Sequence, residues 1–115
     1  MQKVRELKLY KNYFHDFYAQ QKQKVKDKII WTFRLVEEIK QVPEVYLKHL
    51  EGTEGLYEIR VQCGSDIYRI FCFFDKGNVI IIGHGFQKKT QKTPLKEIER
   101  ALKIKDEYYD EKKNK

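Results

Sequence analysis

From residue 56 the hydrophobic pattern takes a period of two and keeps it through three runs, 56–62, 67–74 and 79–86. Only Gly64-Ser65 and Lys76-Gly77 separate them, and both pairs are tight-turn material, so the simplest assembly is an antiparallel meander. Strand side chains alternate between faces. A hairpin turning on Gly64-Ser65 therefore puts Tyr57, Ile59 and Val61 on one face with Tyr68, Ile70, Cys72 and Phe74, an apolar surface that takes the helices. On the opposite face the same turn sets Arg60 across from Arg69, and a turn at Lys76-Gly77 sets Arg69 across from His84. Phe71, Phe73, Ile80 and Ile82 are expected further along that second face, so the C-terminal helix or a partner must cover part of it.

The rest of the chain supplies the cover. Residues 4–10 fit a short edge strand, Tyr13, Phe14, Phe17 and Tyr18 recur at helical spacing in a helix ending near Gln21, and Val25, Ile29, Phe33 and Val36 stripe a helix over 22–41. The two helices are equally compatible with one interrupted helix. Pro43 lies where helix must already have stopped. Thr93 fits an N-cap and Pro94 a first helical residue, with Leu95, Ile98, Leu102 and Ile104 along one side of a last helix and a frayed tail from residue 110. The expected class is α+β: an N-terminal edge strand and two helices packed on an antiparallel meander, followed by a C-terminal helix. With 115 residues and 41% hydrophobic content, residues 1–115 are expected to form a single domain.

Twenty-four Lys and Arg against seventeen Asp and Glu leave a net charge of +7, a field that attracts polyanions. The same excess also serves solubility alone. The longest apolar run is too short for a membrane helix and no secretory pattern opens the chain, so a cytoplasmic protein is expected. Cys63 and Cys72 lie in strand patterns without metal-ligand spacing, and His15, His49 and His84 are scattered, so neither metal nor cofactor is expected.

Like charges opposite each other disfavour a sheet, where a favourable cross-strand pair contributes roughly 0.2–1 kcal/mol, so folding alone does not call for Arg60 beside Arg69. An anion would relieve the repulsion. Glu58, on the same face, offers the competing account of a ligand-free ion cluster. Lys88, Lys89 and Lys92 leave the third strand next to this row, as phosphate-binding groups or as a solvated loop. Metal-free RNA cleavage by 2'-hydroxyl attack on the adjacent phosphate needs a base, charge stabilisation and an acid. Arg60 and Arg69 suit positioning and stabilisation, Lys89 or Lys92 a base of depressed pKa, and His84 a secondary acid-base role. Arg69→Ala and Lys89→Ala are expected to impair cutting more than folding, because removing a surface cation changes stability by no more than about 0.5 kcal/mol.

The segments "LYEIRVQ", "YRIFCFF", "NVIIIGHGFQKKTQKTP" and "EIERA" together resemble the HigB-like, phage-derived branch of the RelE/ParE toxin superfamily over nearly the whole chain. The resemblance implies a RelE-like toxin of a type II toxin-antitoxin pair, an endoribonuclease cutting mRNA on the ribosome and inhibiting translation. It also implies a cognate antitoxin of helix-turn-helix type in a toxin–antitoxin hetero-oligomer. Arg69 matches the strand arginine at the scissile phosphate, and Arg60 and residues 88–92 match the surrounding RNA-binding positions. The ParE branch of the same scaffold implies the alternative, a protein-binding toxin that inhibits DNA gyrase without cutting RNA. Tyr108 and Tyr109 lie in a helical pattern, unlike the base-stacking C-terminal tyrosine of RelE-like enzymes.

Overall fold

In the computed structural model, which describes residues 2–114, the elements run β1 (Glu6–Leu9), α1 (Tyr13–Tyr18), α2 (Gln23–Glu38), β2 (Leu47–His49), β3 (Tyr57–Cys63), β4 (Asp66–Phe74), β5 (Val79–Lys88) and α3 (Leu95–Lys113). They build an α+β architecture around one mixed sheet of order β1-β5-β4-β3-β2, in which β1 runs parallel to β5 and the other pairs are antiparallel. The meander expected from the period-two runs forms its centre. α1 and α2 are separate helices, and α2 stops three residues before the expected end. β2 was not foreseen; it closes the far edge with three residues.

Gly64 supplies the positive φ of +63° that the two-residue turn needs, and β3 and β4 then pair from Tyr57↔Cys72 to Cys63↔Asp66. Arg60 faces Arg69, as the alternation requires. The first face packs Ile59, Val61, Ile70 and Cys72 against Val25, Ile29 and Val36 of α2 and Phe14 of α1. Burying each such side chain contributes about 1.5–3 kcal/mol before entropy is counted. On the other face Leu56 and Phe71 meet Ile98, Ala101 and Leu102 of α3.

The next hairpin departs from expectation. Three residues turn it, because the Asp75 N–H donates to the Val79 carbonyl and Phe74 then pairs with Ile80. One residue of slip exchanges the faces. Ile80 and Ile82 accordingly join the α1/α2 core, and Ile81 pairs with Phe73 instead. A β-bulge follows, with Gly83 and His84 together opposite Phe71, and it returns the register one step further along, so that Arg69 pairs with Phe86 and not with His84.

Two glycines of β5 have unequal tasks. A Cβ on Gly85 would lie 2.7 Å from Cδ2 of Phe17, whereas one on Gly83 would meet its neighbours at 3.4 Å or more. Gly85→Ala is expected to destabilise the fold by about 1–3 kcal/mol through overpacking, and Gly83→Ala by clearly less, measured by urea unfolding. Equal effects would contradict this packing of α1.

α3 begins at Leu95 with Pro94 at the N-cap position and no side-chain cap, because the Thr93 hydroxyl is engaged elsewhere. Leu95 is exposed, and Ala101 with Ile104 forms the buried centre of the helix. The tail is helical to Lys113 instead of frayed. Tyr108 donates to Asp75 Oδ2 at 2.6 Å, Tyr109 to the Phe74 carbonyl at 2.7 Å, and Lys112 to Asp75 Oδ2 at 2.7 Å. No helix is long and apolar enough to cross a membrane among the described residues.

Candidate functional site

The pairing of β3 with β4 presents two guanidinium groups to the α3 side of the sheet, and one carboxylate lies between them. Glu58, two residues before Arg60 on the same face, is only 2% exposed. Its Oε1 accepts a hydrogen bond from Arg60 Nε at 3.2 Å and lies 3.3 Å from Arg69 Nε. The latter contact is ionic, since Arg69 Nε is not aimed as a hydrogen-bond donor. Oε2 accepts from the Thr93 hydroxyl at 3.2 Å, tying the loop before α3 to the sheet. Arg60 is further held by the Glu44 carbonyl at 3.3 Å, and Arg69 Nη1 by the Tyr68 carbonyl at 3.3 Å.

Arg69 is 7% exposed, and burial, with Arg60 adding to it, pulls its guanidinium below the usual arginine value while Glu58 opposes the shift. It remains cationic. Lys88 pairs in register with Ile67, one alternation beyond Arg69 and Phe86 on the same face. Its ammonium is pushed below the ordinary lysine range by burial first and then by Arg69, with Arg60 and Lys48 contributing and Glu58 opposing. Arg60 and Arg69 thus share one carboxylate, with Lys88 within electrostatic reach, and the cluster carries a net positive charge.

The other expected site residues lie apart from it. Lys89 is exposed and lines a different cleft, at the edge of β5, together with His84 and Arg100. Lys92 is exposed in the loop, where its carbonyl accepts from the Thr90 hydroxyl at 2.7 Å. His84 is 1% exposed, its ring 4.9 Å from that of Phe71, and its Nε2 lies 3.1 Å from Glu97 Oε1. Burial, then Arg100, lowers its pKa from the ordinary histidine value, with Glu97 opposing. It is a packed, hydrogen-bonded side chain and not a group open to the arginines.

Thr93, the partner of Glu58, and Tyr46, whose carbonyl accepts from the Arg60 N–H at 2.8 Å, were not anticipated. Thr93 had a competing local use as a helix cap, and Tyr46 precedes a strand too short to declare itself by alternation. Tyr108 and Tyr109 are fixed to Asp75 and Phe74, away from the arginines. Among the described residues no cluster of His, Cys, Asp and Glu has the geometry of a metal site, and Cys63 and Cys72 are free thiols.

What the arrangement can do is hold a phosphodiester: two preoriented forked donors with a buried carboxylate behind them, and an amine of lowered pKa alongside. No curated protein matches the chain. Residues 16–106, however, match the family described as Phage derived protein Gp49-like. The chain, with its RelE-like order of sheet and helices, therefore belongs to the Gp49-like phage-derived proteins, a RelE-related, toxin-like family.

Proposed function

We propose that the protein is the toxin of a type II toxin-antitoxin pair and a metal-independent endoribonuclease that cuts mRNA, with the ribosome presenting the substrate and a cognate helix-turn-helix antitoxin neutralising it. The observation that carries this is the facing pair Arg60 and Arg69, braced by one buried carboxylate and joined by Lys88, an excess of positive charge that the fold itself leaves unbalanced. Arg69 and Arg60 grip the non-bridging oxygens and stabilise the phosphorane, because fork geometry matches a phosphate and Glu58 prevents either side chain from swinging away. Lys88 takes the proton-transfer role in preference to Lys89 and Lys92, since it alone of the three combines partial burial with adjacent cations. His84 acts indirectly, by fixing α3 to the sheet.

Primer extension on mRNA after induced expression tests the activity: new 5' ends should accompany growth arrest. Arrest with intact mRNA and inhibited gyrase would instead support the protein-binding alternative. The role of Lys88 has its own test. A base must be neutral, so cleavage should rise with pH and level off above the Lys88 pKa, which lies below the ordinary 10.5. Lys88→Arg retains charge but cannot release a proton, so it is expected to lose about 100-fold in cleavage rate while binding a non-cleavable oligonucleotide as before. Undiminished cleavage by Lys88→Arg would reduce Lys88 to an electrostatic contact.

A further inference from the structure

We propose that the cleft along the uncovered edge of β3 is a nucleobase subsite, in which Tyr46 stacks on the base adjoining the gripped phosphate and Gln62 reads its edge; this rests on the phosphodiester function proposed above. β2 covers β3 for only three residue pairs, Leu47↔Ile59 to His49↔Tyr57. One more backbone bond, from the Arg60 N–H to the Tyr46 carbonyl at 2.8 Å, ends the cover, and β3 continues without a neighbour on that side. A cleft of about 390 Å³ opens there, between Tyr46 and the face of α2 that carries Lys28. Arg60 and Arg69 are part of its lining. A phosphate held by the two forks thus has its neighbouring nucleoside at the mouth of this cleft.

The chemistry of the walls selects the occupant. The volume falls at the small end of the roughly 300–1,000 Å³ usual for ligand sites, enough for one nucleoside unit and not for a folded segment. Val61 and Ile67 give an apolar surface, and Tyr46 adds an aromatic ring braced by Trp31, the two centroids 5.9 Å apart. A ring already held in place stacks on a base at little further entropic cost. Gln62 carries both a donor and an acceptor, as reading a base edge requires, and its amide is engaged only by a long 3.3 Å bond to the Gly64 carbonyl. No carboxylate lines the cleft among the described residues, so nothing there repels a polyanion. A bare phosphate would leave the apolar half unused, and an apolar ligand would leave two guanidinium groups with a single carboxylate between them. A nucleotide uses both.

The test is an NMR titration of the whole chain with a 2'-O-methyl tetranucleotide, which cannot be cleaved, and with versions that carry an abasic ribose on one side or the other of the central phosphate. Wild type should prefer the base-bearing oligonucleotide over one abasic version by about 5- to 100-fold. Tyr46→Ala should bind both with the affinity wild type has for that abasic version, and Tyr46→Phe should keep the preference. Gln62→Ala should narrow the discrimination among the four bases at that position while retaining the stacking preference. Equal weakening of both oligonucleotides by Tyr46→Ala would mark a purely structural ring and overturn the proposal, as would a wild type indifferent to the abasic change on either side. Arg69→Ala separates the two layers. If it weakens every oligonucleotide while Tyr46 shows no coupling to the base, the subsite alone is wrong; if it binds as wild type does, the phosphodiester function falls and the subsite with it.

Discussion

Arg69→Ala is expected to lower single-turnover cleavage of ribosome-bound mRNA by at least about 100-fold, the usual loss when one preoriented donor to a developing oxyanion is removed. The size follows from how the side chain is held. Arg69 is 7% exposed, lies opposite Arg60, and is kept in place by Glu58 and the Tyr68 carbonyl, so its donors need no reorganisation when charge builds on the phosphate. Arg69→Lys, which keeps the charge and loses the fork, should fall between the two. The expectation that such a substitution changes stability by no more than about 0.5 kcal/mol applied to a surface cation, and Arg69 is buried. Partial exposure of Glu58 and the loss of a buried side chain should instead cost about 1–2 kcal/mol, visible in urea unfolding and small enough to leave the protein folded. Cleavage within threefold of wild type by folded Arg69→Ala would remove Arg69 from the chemistry.

Glu58→Ala should have the largest effect on stability, a loss of about 3 kcal/mol. Removing one member of a buried ion cluster leaves the remaining charges uncompensated, which typically costs about 3–5 kcal/mol. The lower end applies because Arg60, at 26% side-chain exposure, recovers some hydration. The carboxylate also holds Thr93, so the loop into α3 loosens as well. Two controls separate charge from packing. Arg69→Ala added to Glu58→Ala should restore part of the loss, because it removes the cation left facing Arg60. Inorganic phosphate should stabilise Glu58→Gln more than wild type, since an anion then takes the place of the missing charge. A loss below about 1 kcal/mol for Glu58→Ala, with no response to phosphate, would mean that the two arginines do not need their carboxylate.

The face that carries the arginines was legible because a two-residue turn with glycine at its positive-φ position admits one register, and alternation does the rest. The second hairpin was not, and its error propagated. A turn of three residues and a bulge each shift the register of β5 by one. The first moved Ile80 and Ile82 into the opposite core; the second restored the parity, so Lys88 keeps the face that the simple hairpin gives it but stands one alternation from Arg69 and not two. With Arg69 opposite Phe86, alternation carries Lys88 to the cationic face and Lys89 away from it. Gly83 and Gly85 around His84 were the available signal, because glycine inside a strand marks a bulge or a close approach, and here it marks both. The docking of the C-terminal turn had no local signal. Tyr108 and Lys112 are held by Asp75, a partner more than thirty residues away that only the fold brings near.

The role of Arg69 is tested most directly by toeprinting with purified ribosomes programmed with a defined mRNA and mixed with the wild-type protein or with Arg69→Ala. New mRNA 5' ends should appear within the ribosome-bound region for wild type, without added metal beyond what the ribosome requires, and should vanish for folded Arg69→Ala. Unbroken mRNA with wild-type protein that still arrests growth, or equal cutting by the two proteins, would contradict it.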